Sequence, residues 1–241
     1  MTNEILWLVM LLFNFGAILL AFRLWGRVGL LIFIPISAII ANIQVLKTVD
    51  LFGLEATLGN IVYAGGFLVT DILTENYGKK SAKIAVAIGF FSLIISTVFM
   101  YLAIQFIPSS QDWAQESLKT IFGFLPRVTI ASLAAYLISQ LHDIWAYDFW
   151  KKKAPHMKFI FLRNNLSTMV SQLIDTIVFT TIAFTSCFGL LKPVFEDNSI
   201  IISIFLTTYL MKWIVAALDT PFLYLATHWK QKGKIKEVFE T

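Results

Sequence analysis

The length of the apolar blocks is the feature that most constrains the fold of this chain. Mostly apolar blocks of about 20 residues or more recur along it, separated by short polar segments. A helix of that length crosses the ~30 Å hydrocarbon core of a bilayer. Only 14% of the residues are charged, whereas a soluble domain carries about 25%. The sequence therefore predicts an all-α, polytopic helical membrane protein, because the strands of a membrane barrel would alternate apolar and polar residues over about 10 positions.

We predict seven spans within one integral membrane domain of residues 1–241. The spans lie at about 4–22, 28–46, 57–74, 82–107, 127–149, 163–190 and 199–225. The third is short and carries Gly65 and Gly66. Counting it as a crossing nevertheless places 14 of the 19 lysines and arginines on one side of the membrane and four on the other, with Lys212 inside the last span. Because basic residues accumulate on the cytoplasmic side, this split predicts an outside N-terminus and a cytoplasmic C-terminus.

Several functional classes are excluded by the same pattern. The net charge of +4 arises from basic residues at the ends of the spans, so we expect no nucleic-acid partner. Cys187 is the single cysteine, which excludes an intrachain disulfide, and the three histidines lack the spacing of metal ligands. HExxH, GxSxG and phosphate-loop motifs are absent from the sequence. We therefore expect no metal, no cofactor, no enzymatic activity and no ATP hydrolysis by this chain itself.

Carboxylates and amides inside the apolar blocks are the candidates for binding a polar solute, because an ionised side chain in a bilayer costs several kcal/mol unless it is paired or used. The pattern Ser-Gln-Leu-x-Asp occurs twice, at 139–143 in the fifth span and at 171–175 in the sixth. In each copy the glutamine and the aspartate share one helix face. The helical rise places both glutamines roughly 13 Å from the same membrane edge. Asp71 and Glu75 approach this region from the third span.

Such a cavity would suit a neutral heterocycle, since carboxylates accept hydrogen bonds and side-chain amides both donate and accept them. Four aromatic residues close in sequence to the polar positions could stack on a flat ring; these are Tyr63, Phe67, Tyr136 and Trp145. The alternative for each Gln or Ser is a hydrogen bond between helices, at about 0.6 kcal/mol. The alternative for Asp143 and Asp175 is neutralisation, for which the candidates are Arg127, Arg163 and Lys212. A structural pair of Lys212 with Asp219, two helical turns away, also stays open.

Three stretches carry a resemblance to a known family. They are Thr70-Asp71 followed by Glu75-Asn76-Tyr77-Gly78-Lys79-Lys80, then Ser139-Gln140 with Asp143, then Arg163-Asn164-Asn165 with Ser167-Thr168, Gln172 and Asp175-Thr176. In this combination, residues 28–225 resemble the bacterial queuosine precursor transporters, formerly grouped with vitamin-uptake transporters. The resemblance implies a multi-pass importer of the bacterial inner membrane for 7-deazaguanine bases, chiefly 7-cyano-7-deazaguanine. It also implies a six-helix core like that of energy-coupling-factor substrate-binding subunits, so that either the first span is an addition to this core or the third is miscounted.

The resemblance leads to a set of predicted substrate-binding residues. These are Asn42, Gln44, Asp71, Glu75, Gln140, Asp143, Arg163, Asn164, Gln172 and Asp175. The carboxylate that accepts the base's N–H groups is Asp143, Asp175 or Glu75. The amide role falls to Gln140, Gln172 or Asn42, and Arg163 would orient the base or balance charge.

Three functions remain open at this point. The first is a secondary importer that acts alone or as a homodimer. The second is a substrate-capture subunit of an ATP-driven vitamin or nucleobase uptake complex. The third is an intramembrane enzyme or a structural assembly factor, which the absent catalytic motifs disfavour.

Overall fold

The fold was obtained as a computed structural model, which describes residues 2–51, 53–123, 125–186 and 198–238. Long helices dominate this part of the chain, as the apolar blocks predict. In chain order the elements are α1 (Asn3–Gln44), β1 (Thr48–Leu51), β2 (Leu54–Thr57), α2 (Gly59–Tyr77), α3 (Lys79–Ala103), α4 (Gln115–Gly123), α5 (Leu125–Lys153), a 3₁₀ helix (Met157–Phe159), α6 (Ile160–Phe184) and α7 (Asn198–Gln231).

Helix α1 is folded back on itself at Gly26, which separates a first arm (3–25) from a second arm (27–44). Gly26 has φ 56° and ψ −132°, a conformation that residues with a Cβ adopt only under strain. The arms pack closely, because a Cβ on Gly29 would lie 2.2 Å from the carbonyl oxygen of Ala21. Beyond the second arm, the Asn3 amide donates to the Asp50 carbonyl at 3.0 Å. The chain therefore returns to its starting end by residue 50, as the predicted boundary between spans one and two requires.

The bundle has two distinct ends. The hairpin end carries the antiparallel pair β1–β2, in which Thr48 faces Thr57 and Leu51 faces Leu54. The basic end gathers the lysine-rich segments and the C-terminal residues, as two contacts illustrate. The Lys236 N–H donates to the Arg23 carbonyl at 3.1 Å, and Lys79 lies 3.7 Å from Asp148. The segments that the sequence analysis assigned to one side of the membrane thus meet at one end of the molecule.

Helix α2 lies in the centre of the bundle and contacts α1, α3, α5 and α7. Most of its residues from Gly59 to Thr74 are buried. Within the described residues, five stretches are long and apolar enough to cross a membrane; they are Asn3–Gln44, Lys79–Ala103, Gln115–Lys153, Asn165–Phe184 and Ile201–Gln231. Helix α2 is not among them, because its sequence is more polar. It can carry polar residues because neighbouring helices, and not lipid, surround it. By their length and composition, these stretches indicate a helical membrane protein.

The elements also depart from the predicted boundaries. Helix α3 ends at Ala103, so residues 104–107 of the predicted fourth span follow the helix, and the Ile107 side chain is 95% exposed. Helix α7 continues to Gln231, six residues beyond the predicted span. The hairpin β1–β2 and the short helix α4 have no counterpart in the predicted spans, because each is far shorter than a membrane crossing. Residues 187–190 of the predicted sixth span lie outside the described residues.

Candidate functional site

A cavity of about 40 Å³ opens between the second arm of α1 and helices α2, α5, α6 and α7. Its lining combines polar and aromatic side chains, among them Asn42, Asn60, Tyr63, Ser132, Asp175, Phe179 and Lys212. Asn42 lies near the end of α1 and Asn60 at the start of α2, so the cavity occupies the half of the bundle nearer the hairpin end. We call it the hairpin-end cavity. Its mixed lining resembles that of small-molecule sites, which combine an apolar wall with a few polar groups.

Asp175 is the most heavily hydrogen-bonded side chain in this cavity. Its Oδ1 accepts a hydrogen bond from the Tyr63 hydroxyl and another, of 3.1 Å, from the Ser139 hydroxyl. Its Oδ2 accepts one from the Lys212 ammonium. The Lys212 Nζ also lies 3.4 Å from the Thr176 hydroxyl oxygen. Side chains from α2, α5 and α7 therefore converge on one carboxylate of α6.

This arrangement shows which acidic residue pairs with Lys212 and which cation neutralises Asp175. Lys212 pairs with Asp175 rather than with Asp219, and only 4% of the Lys212 side chain is exposed. Arg127 does not neutralise Asp175 but donates to the carbonyls of Ile182 and Thr185 at 3.2 and 2.6 Å, at the end of α6. Lys212 and Tyr63 were not among the predicted substrate-binding residues, although Tyr63 was considered for stacking on a ring and Lys212 for neutralising Asp175. The available signal was a lysine inside an apolar span, which is costly enough to imply a partner.

A second group of polar side chains lies one to two helical turns closer to the basic end. We call this group the polar layer; it consists of Asp71, Gln140, Asp143 and Gln172. Each of the four is at most 1% exposed. The Thr70 hydroxyl donates to Gln140 Oε1 at 3.2 Å, and the Thr168 hydroxyl donates to Asp71 Oδ2 at 3.3 Å. Helices α2, α5 and α6 thus bring together four of the residues that the sequence analysis selected.

Much of the hydrogen-bonding capacity of the polar layer is unused. Among the described residues, no partner is found for either Asp143 oxygen, either amide atom of Gln172, Gln140 Nε2 or Asp71 Oδ1. Asp143 lies among the hydroxyls of α6, beside Asp71, but without a well-formed bond. Each buried polar group left without a partner costs about 1–3 kcal/mol. So many such atoms in one layer indicate a place that a solute or water completes.

Glu75 belongs to neither group but lies at the basic end. The Tyr147 hydroxyl donates to its Oε2 at 3.2 Å, and the Lys151 Nζ lies 3.7 Å from the same atom. Lys151 also donates to the Thr74 carbonyl at 3.2 Å. Glu75 therefore links the ends of α2 and α5 at the basic end of the bundle.

The other predicted positions are more scattered. Asn42 lines the hairpin-end cavity, and its Nδ2 donates to the Ala38 carbonyl of its own helix at 2.8 Å. Gln44 is the last residue of α1; it is partly buried and does not line that cavity. The side chains of Arg163 and Asn164 lie outside the described part of the chain. Trp145, predicted to stack on a ring, is instead 54% exposed and stacks on Phe149, because it faces away from the neighbouring helices.

Known proteins resemble this chain over most of its length. Residues 57–226 match the family described as "Putative vitamin uptake transporter". A "Probable queuosine precursor transporter" of Bacillus subtilis (strain 168) is 40% identical over 226 residues, which cover 94% of this chain and 95% of the relative. A second "Probable queuosine precursor transporter", of Haemophilus influenzae, is 31% identical over 134 residues, or 55% of this chain and 54% of the relative. No solved structure matches. The predicted resemblance is therefore confirmed, and the chain belongs to the queuosine precursor transporter family.

Proposed function

We propose that this protein imports queuosine precursors across the bacterial inner membrane, as a secondary transporter of 7-deazaguanine bases such as 7-cyano-7-deazaguanine. The names of the two relatives support the solute class. The apolar helices support the membrane location. Catalysis is not part of the proposal, because the relatives are named as transporters and the buried polar side chains suit binding.

The observation that carries this proposal is the set of unpaired atoms in the polar layer. A 7-deazaguanine base presents a ring N–H and an exocyclic amine on one edge, and a carbonyl beside them. The two free oxygens of Asp143 match the two N–H donors, as carboxylates accept from base amino groups elsewhere. The free amide nitrogens of Gln140 and Gln172 match the carbonyl. Asp175 is a poorer candidate for this role, because three donors already occupy it.

The proposed transport direction follows from the two ends of the bundle. With each arm of α1 crossing the membrane, the chain has seven crossings, and the basic end faces the cytoplasm by the positive-inside rule. The hairpin-end cavity then opens toward the outside, where a solute to be imported arrives. The contacts of Glu75 with Tyr147 and Lys151 keep the cytoplasmic side closed in this conformation. Alternate opening of the two ends would move the solute inward.

Binding to the purified protein tests the proposal. We expect saturable binding of 7-cyano-7-deazaguanine in detergent, with guanine and riboflavin as comparators. Asp143→Asn should weaken binding by about 10-fold to 100-fold, the range for losing hydrogen bonds to a charged group. Asp148→Asn is the matched control on the same helix, since Asp148 pairs with Lys79 and Lys152 at the basic end. Equal affinity in Asp143→Asn and the unmodified protein would contradict the assigned site.

The secondary mechanism needs its own measurement. Proteoliposomes that contain only this chain should take up the labelled base when an ion gradient is imposed, without ATP. Binding without any uptake would instead favour a substrate-capture subunit that requires an ATP-driven complex. Cross-linking in the same vesicles would report whether the active form is a homodimer.

A further inference from the structure

Two cavities lie one behind the other along the axis of the bundle. The hairpin-end cavity is lined by Asn42 of α1, Tyr63 of α2 and Ser132 of α5. A smaller cavity of about 10 Å³ is lined by residues about one turn nearer the basic end; these are Ile34, Ser37, Ala38, Tyr63, Gly66 and Tyr136. Tyr63 is common to both linings, so its side chain forms the wall between the two cavities.

The small cavity continues toward the polar layer. A Cβ placed on Gly66 would lie 3.9 Å from Gln140 Nε2, the free amide nitrogen of that layer. The Ser37 and Tyr136 hydroxyls, which line the small cavity, have no partner among the described residues. Polar atoms without partners therefore extend from the Tyr63 wall to the polar layer.

Three interactions hold the Tyr63 ring in this position. Its hydroxyl donates to Asp175, whose other oxygen binds Lys212. The Lys212 ammonium lies 5.3 Å from the centre of the Tyr63 ring, within the range of a cation–π contact. The rings of Phe67 and Tyr136 lie edge-on to it at 5.8 and 6.0 Å. The polar contacts can break and re-form, whereas the packed rings limit where the side chain can move.

We propose that Tyr63 is the gate between the hairpin-end cavity and the polar layer, and that the Asp175–Lys212 ion pair is the latch that holds it closed. This inference rests on the proposed function, because a transporter must move its solute from the open cavity to the buried layer. The solute's own N–H groups could compete for Asp175 while it lies in the cavity. Release of the Tyr63 hydroxyl then frees the ring to swing, and the path to Gln140 opens.

Thiol labelling tests the gate without any solute. In a Cys187→Ser background, Ser37→Cys places a thiol of similar size in the small cavity, behind the Tyr63 wall, and Ser132→Cys places one in the hairpin-end cavity. A membrane-impermeant thiol reagent is added to right-side-out vesicles. We expect slow labelling of Ser37→Cys and acceleration by about tenfold when Tyr63→Phe removes the hydrogen bond to the charged carboxylate. Labelling of Ser132→Cys should not change, which also reports that the fold is intact.

Further variants separate a gate from a general loosening of the bundle. Ser139→Ala removes the other hydroxyl on Asp175 and leaves the Tyr63–Asp175 hydrogen bond in place, so labelling of Ser37→Cys should stay slow. The combined Asp175→Asn and Lys212→Met variant removes the latch without leaving a buried charge, and should accelerate labelling even if Tyr63→Phe fails to fold. Equal labelling of Ser37→Cys with and without the latch would overturn the proposal.

The proposed solute enters only in a separate arm of the experiment. Saturating 7-cyano-7-deazaguanine should change the labelling rate of Ser37→Cys when Tyr63, Asp175 and Lys212 are unmodified. The bound base either blocks the path of the reagent to the thiol or displaces the Tyr63 side chain. A latch-dependent labelling rate that does not respond to the base would retain the gate and reject this solute. Labelling that responds to the base but not to the latch would retain the solute and reject the gate.

Discussion

Removing one member of the Lys212–Asp175 ion pair should destabilise the protein more than removing both. Only 4% and 3% of these side chains are exposed, and a buried charge that loses its partner costs about 3–5 kcal/mol. The loss of stability in Lys212→Met should lie near the lower value, because Tyr63 and Ser139 still donate to Asp175. The cost of Asp175→Asn should lie near the upper value, because the ammonium then loses its anionic partner and keeps neutral neighbours such as the Thr176 hydroxyl, at 3.4 Å, and the Tyr63 ring.

The double variant completes the cycle. Asp175→Asn with Lys212→Met leaves no buried charge, so its stability should return to within about 1–2 kcal/mol of the unmodified protein. Thermal unfolding of the purified protein in detergent measures this, since 1 kcal/mol shifts the midpoint by about 2–4 °C in a chain of this size. The single variants should therefore melt roughly 6–20 °C lower. Single effects that simply add in the double variant would refute the reasoning, because they would mean that the two charges do not interact.

Two further predictions concern the fold. Gly29→Ala should destabilise the protein by about 1–3 kcal/mol, because the added Cβ would lie 2.2 Å from the Ala21 carbonyl oxygen. Gly66→Ala is the control, because its Cβ would lie 3.9 Å from the nearest atom, and this variant should not unfold at a lower temperature than the unmodified protein. Burial opposes ionisation of the Glu237 carboxyl, but hydrogen bonds from Lys230, Tyr77 and the Arg27 N–H hold its pKa below its ordinary value of 4.5. A group with a depressed pKa stabilises the fold above its ordinary value and loses this contribution as the pH falls through its folded-state pKa. The unfolding midpoints of Glu237→Gln and the unmodified chain should therefore differ at pH 7 and converge as the pH falls below 4.5.

The fold was predictable to the extent that apolar length determines it. The blocks are long enough to cross a bilayer, and Arg23 and Arg27 mark the break at Gly26 where α1 reverses. The hairpin β1–β2 and α4 were missed because short elements leave no comparable signal. Helix α2 carried a weaker signal, since its polar residues reduce its hydropathy while the surrounding helices bury it, and the third span was predicted because the loop charges required it.

The site was predictable in its residue types but not in its pairings. Asp71, Gln140, Asp143 and Gln172 were selected because polar groups in apolar spans need a reason, and the structure brings these four together. Which cation reaches which carboxylate depends on how α6 and α7 are rotated about their own axes. A single sequence does not specify that rotation, so Lys212 was considered for Asp175 but also for Asp219. Trp145 was predicted near the site because it is close to Asp143 in sequence, but this proximity does not place the two side chains on the same face of the helix.

The repeated Ser-Gln-Leu-x-Asp pattern shows how far sequence similarity within one chain can mislead. Read alone, it makes Asp143 and Asp175 equivalent. In the structure Asp175 accepts from Tyr63, Ser139 and Lys212, whereas both oxygens of Asp143 lack a partner among the described residues. A carboxylate with three donors exchanges one of them for a solute N–H only at the cost of the bond that it gives up. Asp143 has no such bond to give up, so we propose that the two copies of one motif have different roles, Asp175 in holding the closed state and Asp143 in recognising the base.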